Sequence, residues 1–251
     1  MTIFLADLST EEARAILAGP RRVAVLVPCG SVEPHGPHLP LATDTLISVE
    51  ASARAAKLLG ERGVATFVAP GVGYGVTDYA QGFAGALSIP GEVLTPFLEA
   101  VARALLRDGF SHVCLVNNHL EPAQDAAVRA AVLAFPAGRA SVACPLTRRW
   151  ARTLSDEFKR GDCHAGRYET SLVLAAGGQV KSEAAGLPPL TLSLSEGIKQ
   201  GKFTFSEMGI DRAYTGAPAE ATREEGEALY AKLVEMIAAE VTEGLAKISS
   251  P

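Results

Sequence analysis

Short, continuously apolar runs alternate along the chain with longer segments whose apolar positions recur every three or four residues. Val23 to Val27 is the first such run. A strand apolar on both faces is one buried on both faces, as in a parallel sheet covered by helices. Val64 to Ala69, His112 to Val116 and Ala140 to Ala143 read as the further strands. Helices are predicted between them. Ser9 to Gly19 opens with Ser9 and Glu12 in capping-box spacing. Thr45 to Leu59 is rich in Ala and Leu and stops near Gly60 and Gly63. Gly91 to Arg107 has apolar residues at 94, 97, 98, 101, 105 and 106, one face of a 3.6-residue period. Pro122 to Leu133 places its proline in the first turn. Glu169 to Ala176 and Thr222 to Lys247 complete the set, and glycine-rich Gly71 to Pro90 reads as a long loop.

This alternation predicts an α/β fold, a three-layer α/β/α sandwich on a mostly parallel sheet. No linker-like stretch, repeat or low-complexity segment divides residues 1–251, which are read as one domain. In open α/β sheets a ligand site lies beyond the carboxyl ends of the strands, so chemistry is sought where strands end.

Composition narrows the classes. The formal net charge is −5, and the pairs Arg21-Arg22 and Arg148-Arg149 are too short for a polybasic patch, so no nucleic-acid partner is expected. The opening MTIFLADLSTEEARAILAG carries acid where a secretory leader carries base. No apolar run approaches the ~20 residues that span a bilayer. No membrane association is expected, and a reducing cytoplasm is the default compartment. The cysteines at 29, 114, 144 and 163 form no C-x-x-C pair, which argues against a thiolate zinc site or redox motif. Cys114 and Cys144 lie in strand-like runs and read as small buried hydrophobes.

Three segments concentrate the chemistry, each after a strand or before a helix. The first runs from Cys29 to Asp44 and holds Glu33, His35, His38 and Asp44. Imidazoles and carboxylates suit Zn, Mn or Fe in a hydrolytic site. So many ionisable groups in a Gly/Pro-rich turn call for a ligand to neutralise them. Asp44 can serve as a ligand or cap the following helix. His38 can orient a ligand or the loop. The second segment, Val116 to Pro122, adds His119 and Glu121. Together the two give five candidate metal ligands: Glu33, His35, Asp44, His119 and Glu121. Two divalent metals sharing a bridging carboxylate would use them economically. The third, Asp162 to Ser171, offers His164 as a general acid or base and Glu169 as a support for the site or a charge at a helix N-terminus. His112 reads as structural. Gly71, Gly73 and Gly75 do not complete a phosphate-binding motif and are expected to line the site as a flexible loop.

The segments GSVEPHGPHLPLATD, NNH and HAGRYETS resemble the motifs of the creatininase (creatinine amidohydrolase) family. The Gly71-Val-Gly-Tyr-Gly run, Gly85 to Ser88 and Thr215 to Thr222 are also similar to it. The resemblance covers nearly the whole chain. It implies a creatininase-like fold and a site for two divalent metal ions, Zn or Mn, with Fe as a further choice. It implies Glu33 and His119 on one metal, His35 and Glu121 on the other, Asp44 bridging, and His164 as the catalytic histidine. It also implies a homo-oligomer, the hexamer being the family's common form.

Departures from the family pattern bear on substrate. Leu120 stands where creatininase has an aromatic residue, Arg160 where it has tryptophan, and Pro34 replaces the usual Gln. Creatinine itself is therefore not expected. Candidate substrate contacts are Ser88, Tyr74, Arg160 and Arg167. The expected reaction on a small-molecule substrate is hydrolysis of an amide-type C–N bond in a cyclic amide or formamide. His164 would protonate the leaving nitrogen, and Glu121 shares the proton-handling role. Alternatives are C–C cleavage in a polyol ketone, peptide trimming, or a non-catalytic metal-stabilised scaffold.

Overall fold

The computed structural model describes residues 2–248. The four predicted strands are present: β1 Val23–Cys29, β2 Ala65–Val68, β3 His112–Asn117 and β4 Ala140–Ala143. They form one parallel sheet in the order β2-β1-β3-β4. The continuously apolar sequence of β1 follows from its central place. Ala24 and Leu26 join Val68, Cys114, Val116 and Ala143 in one core. Val23, Val25 and Val27 join Phe67, Val113 and Leu115 in the core on the opposite face.

Helices cover both faces, as the α/β/α expectation requires. On the second face lie α1 (Thr10–Leu17), α3 (Gly91–Asp108) and α4 (Pro122–Val132). The predicted capping box at the start of α1 is present, with Ser9 and Glu12 exchanging hydrogen bonds. On the first face lie α2 (Thr43–Glu61), α7 (Arg167–Ala175) and α9 (Arg223–Lys247). Three short helices were not predicted: α5 (Arg148–Ala151), α6 (Asp156–Arg160) and α8 (Leu194–Lys199). At four to six residues each, they are too short for a 3.6-residue period to register. Leu194 and Ile198 of α8 pack with Tyr79, Phe83, Phe205, Met208 and Ile210 in a small core of their own. Among the described residues no helix is long and apolar enough to cross a membrane.

The inward face of α3 departs from its expected composition. Leu94, Leu98 and Ala102 are buried, but Phe97 is 52% exposed. At 100° per residue, position 97 lies about 60° from position 94, on the margin of the apolar arc. It instead borders an outer groove with Tyr74, Ile89 and Val93.

Gly226 sets how closely α9 approaches α7. A Cβ there would overlap the Ser171 carbonyl oxygen and come within 2.7 Å of the Ala175 Cβ. His112, the first residue of β3, is buried, and its Nδ1–H donates to the Gly138 carbonyl (2.7 Å) while Nε2 accepts from the Ser141 hydroxyl (2.9 Å). Burial holds its pKa below the ordinary 6.5.

Gly226→Ala is expected to destabilise the fold by about 1–3 kcal/mol, because backbone must shift to make room. Gly60→Ala, where a Cβ meets nothing within 4 Å, should instead be neutral or stabilising by up to about 1 kcal/mol. Urea unfolding of the two variants measures both, and equal effects would refute the close-approach account. His112 gives a pH prediction. A histidine held neutral in the fold has its full stabilising effect above the unfolded pKa near 6.5. The effect fades as pH falls through the folded value, because only the unfolded chain takes the proton readily. His112→Gln should therefore show a flatter loss of stability than the natural chain between pH 7 and 5. Parallel stability–pH curves would rule this out.

Candidate metal centre and active site

The register of the sheet brings the first two chemical segments together. Cys29 at the end of β1 pairs with Asn117 at the end of β3. The chain runs from β1 outward to β2 and from β3 outward to β4, so the β1–β3 boundary is the topological switch point, where open α/β sheets bind ligands. Glu33, His35 and Asp44 follow β1, while His119 and Glu121 follow β3. His164 and Glu169 arrive from the turn that leads into α7. All seven are buried.

Backbone carbonyls fix both central histidines. His35 donates Nδ1–H to the Glu33 carbonyl (3.0 Å). Its Nε2 then faces Asp44 Oδ1 at 3.3 Å, Glu169 Oε2 at 3.5 Å and Glu33 Oε1 at 3.6 Å. His119 donates Nε2–H to the Val76 carbonyl (2.6 Å), which turns Nδ1 toward Asp44 Oδ2 at 3.1 Å and Glu33 Oε1 at 3.2 Å. A carbonyl on one ring nitrogen leaves the other as a lone-pair donor, the usual arrangement behind a metal-binding imidazole. Asp44 thus offers one oxygen to each histidine. It lies in the first turn of α2, whose N-cap is Ala42 with no side-chain cap, so the capping role open to Asp44 in the sequence is not one it takes. Ser31 donates to Asp44 Oδ2 (2.7 Å).

The remaining carboxylates are held by hydrogen-bond donors. Glu33 Oε2 accepts from the Thr77 hydroxyl. Glu121 accepts the N–H groups of Asp78 (3.0 Å) and Tyr79 (3.3 Å), one on each oxygen. Glu169 Oε2 accepts the Ala165 N–H (2.7 Å). His164 donates Nε2–H to the Pro34 carbonyl (3.0 Å), with Nδ1 3.8 Å from Glu33 Oε1.

Three donor sets are compact enough for an ion, each with its atoms within 4.8 Å of one another: Glu33–His119–Glu121, His35–Asp44–Glu169 and Glu33–His35–His164. This grouping differs from the pairing of His35 with Glu121 that the resemblance implied. Glu121 is tethered to the 78–79 backbone on the His119 side, while Glu169 reaches His35 from the first turn of α7.

Crowded charge sets the protonation of the group. Burial opposes a charge on His35, but Asp44, Glu169 and Glu33 outweigh it and lift its pKa to about 10. Burial opposes a charge on His119 as well, yet Glu33 and Asp44 carry its pKa well above the ordinary value. Asp44, buried between these two rings, is held well below the usual carboxylate range. Burial lifts Glu121 to about 7 and Glu169 to about 8, and it pushes His164 down to about 4 against the pull of Glu33.

A cavity opens onto Glu33, Asp44, His119, Glu121, His164 and Glu169. Besides the donors, its wall includes Tyr79, Leu120, Pro122, Leu194, Ile198 and Phe205. The Phe205 ring lies 4.6 Å from the His164 ring. The proposed polar contacts are elsewhere. Tyr74 is 56% exposed in the groove beside α3. Arg160 pairs with Asp162 (3.3 Å), and Arg167 pairs with Glu220 (3.2 Å) and Glu225 (3.1 Å). None of the three lines the cavity. Each arginine is held by a nearer carboxylate, and Tyr74 lies on the outer side of its loop. Ser88 acts at one remove, accepting the Thr77 N–H (3.0 Å) and donating to Asp78 (2.6 Å). His38 shares a hydrogen bond with Thr170 (2.9 Å), the residue after Glu169. From the loop expected to line the site, Tyr79 lines the cavity, while Val76, Thr77 and Asp78 hydrogen-bond the donors; the glycines do neither. Sequence reasoning missed Thr77, Tyr79, Leu194, Ile198 and Phe205. Their only signal was apolar or hydroxyl character in segments without periodicity.

Comparison with known proteins supplies the wider context. The creatininase family profile, described as creatinine amidohydrolase, matches residues 6–241. The mycofactocin precursor peptide peptidase of Mycobacterium tuberculosis (strain ATCC 25618 / H37Rv) is 32% identical over 221 residues, 84% of this chain and 82% of that protein. The creatinine amidohydrolase of Pseudomonas putida is 30% identical over 125 residues, 48% of this chain and 46% of that one. A manganese form of creatininase superposes with a TM-score of 0.74 at 23% identity, covering 97% of this chain and 98% of that one, which establishes the shared fold. The chain belongs to the creatininase family of hydrolases.

Proposed function

We propose that this protein hydrolyses a peptide amide bond with the help of two divalent cations. The observation that carries the reading is the buried constellation of seven donors, six of which line a cavity with an apolar wall. The relative that matches over most of both chains is named for a peptide substrate, which supports peptide over the cyclic amide or formamide expected from the motifs. The bond type, an amide C–N, stays the same.

The donor set fits cations by a direct criterion. His35 Nε2 is buried with no hydrogen-bond partner, although carboxylate oxygens lie 3.3–3.6 Å away on three sides. A buried polar atom left in this way asks for a ligand. Glu33, His119 and Glu121 would hold one cation, His35 and Glu169 the other, and Asp44 would offer an oxygen to each. Zn and Mn both match nitrogen and carboxylate donors of this kind. Divalent cations held there supply Lewis acidity for a carbonyl oxygen and acidify water.

The protein's own groups do the rest. His164 begins neutral at physiological pH, because burial keeps its pKa near 4. With Nε2–H fixed on the Pro34 carbonyl, Nδ1 is the atom free to take a proton from the attacking water and return it to the leaving nitrogen. Glu121 has both oxygens committed to backbone N–H groups, so we assign the proton to His164 and a holding role to Glu121. Tyr79, Leu120, Leu194, Ile198 and Phe205 bring no formal charge to the wall and exclude water around the bond being cut. Such a wall suits an apolar side chain next to that bond.

Three measurements test the proposal. In a substrate panel followed by amine release, peptides with apolar residues should be cut and creatinine should not. Hydrolysis of cyclic amides with no peptide cleaved would overturn it. In the same assay His164→Ala should lower kcat by about 10²–10⁴ with metal content unchanged; loss of metal would make His164 a ligand instead. Chelation should abolish activity and lower Tm, and Mn or Zn should restore both. The stabilisation returned should be about 4 kcal/mol when free metal exceeds Kd a thousandfold. A Tm indifferent to chelation would contradict the two-cation site.

A further inference from the structure

One buried carboxylate lies outside the site and takes no part in the mechanism above. Glu157 of α6 is 2% exposed. It meets peptide backbone from two separate segments. Oε1 accepts the N–H of Tyr168 (2.8 Å), the second residue of α7. Oε2 accepts the N–H of Ala217 (2.9 Å). The N-cap of α7, Gly166, has no side chain to satisfy that helix end, and Glu157 does so from another element. Two glycines make room for it. A Cβ on Gly166 would stand 2.5 Å from Oε1, and one on Gly216 would overlap Oε2.

Both contacts bear on the candidate metal centre. Gly166 sits between His164 and Glu169, in a turn where Ala165 is held at φ +48°. A non-glycine residue in that region persists only where its surroundings impose it. Glu169 closes the turn by accepting the Ala165 N–H. Across from it, Thr215 donates its N–H to the His164 carbonyl (2.8 Å), two residues before the Ala217 that Glu157 holds. Glu157 therefore clamps the turn that carries His164 and Glu169 to the segment behind it. The Glu33–His119–Glu121 side is built from the loops after β1 and β3; the Glu157 hydrogen bonds do not reach it, and the clamped turn approaches it only at His164, whose Nδ1 lies 3.8 Å from Glu33 Oε1.

We infer that Glu157 is a positioning residue, whose carboxylate sets the His164–Glu169 turn and thereby the cation affinity on the His35–Asp44–Glu169 side alone. The inference rests on the two-cation reading. A carboxylate is the one side chain that can accept both N–H groups. An amide of the same shape accepts one and presents its own N–H to the other.

The test uses the full chain, stripped of metal and titrated calorimetrically with Mn²⁺, as natural protein, Glu157→Gln and Glu157→Asp. The natural chain should bind two ions. Glu157→Gln should leave one affinity unchanged and weaken the other by about 10–100-fold, the range for loss of a group that orients a metal ligand. Its kcat on peptide should fall with KM little changed. Glu157→Asp keeps both oxygens and should lose less; it also serves as the reading if the Gln variant fails to fold. Two unchanged affinities with a lowered Tm would make Glu157 merely structural and overturn the inference. Equal weakening of both affinities would overturn it too. A natural chain that binds no Mn²⁺ would remove the two-cation reading and this inference with it, an outcome distinct from a selective effect that fails to appear.

Discussion

Four buried carboxylates share a few ångströms with three imidazoles at the carboxyl end of β1 and β3. Carboxylates so placed repel one another, and desolvation adds to the cost of each charge. In the chain itself the compensation is proton uptake by His35 and His119, both raised far above their ordinary pKa. Cations would replace those protons and release them. Much of the surrounding structure consists of devices that keep like charges together long enough for such compensation to work.

Those devices are mostly backbone. The carbonyls of Glu33, Val76 and Pro34 orient His35, His119 and His164, and the amides of Asp78, Tyr79 and Ala165 hold Glu121 and Glu169. Backbone groups cannot rotate away as side chains can, so the donors are fixed by the path of the chain. The loop from Val76 to Tyr79 serves three of the donors at once: His119, Glu121 and, through the Thr77 hydroxyl, Glu33. It also contributes Tyr79 to the cavity wall. Movement in that loop on substrate entry would therefore be felt at the site.

What could be read in the sequence follows from this division. The strands were legible because apolar runs of four to seven residues have few other uses, and the sheet then put the β1 and β3 loops side by side. Glu33, His35, Asp44, His119 and Glu121 stood out because ionisable groups are rare at such density after strands. Glu169 did not, since an acid in the first turn of a helix is favoured by the helix dipole whether or not it faces a site. Tyr74 and Tyr79 lie five positions apart in one loop with no period to say which faces inward, and the residue that lines the cavity is Tyr79. Arg160 was a reasonable anion contact until Asp162, two residues on, proved to be its partner. Phe205 and α8 were invisible because a six-residue helix and an irregular segment leave no periodic trace.

The donors and the cavity wall rest on different parts of the molecule. Donors, orienting carbonyls and the His164 turn all depend on the ends of β1 and β3 and the start of α7, elements locked into both cores of the sandwich. The wall beyond His164 depends on the small independent core of α8, Phe205, Met208 and Ile210. α8 packs against the 79–86 loop and the 205–213 segment, and its Leu194 N–H bonds the Gly161 carbonyl at the end of α6, so a change in α8 acts on the wall through those segments. Under the proposed peptide hydrolysis, the groups that handle the bond would rest on the sheet, and the side chain beside that bond would meet the wall built by this smaller core.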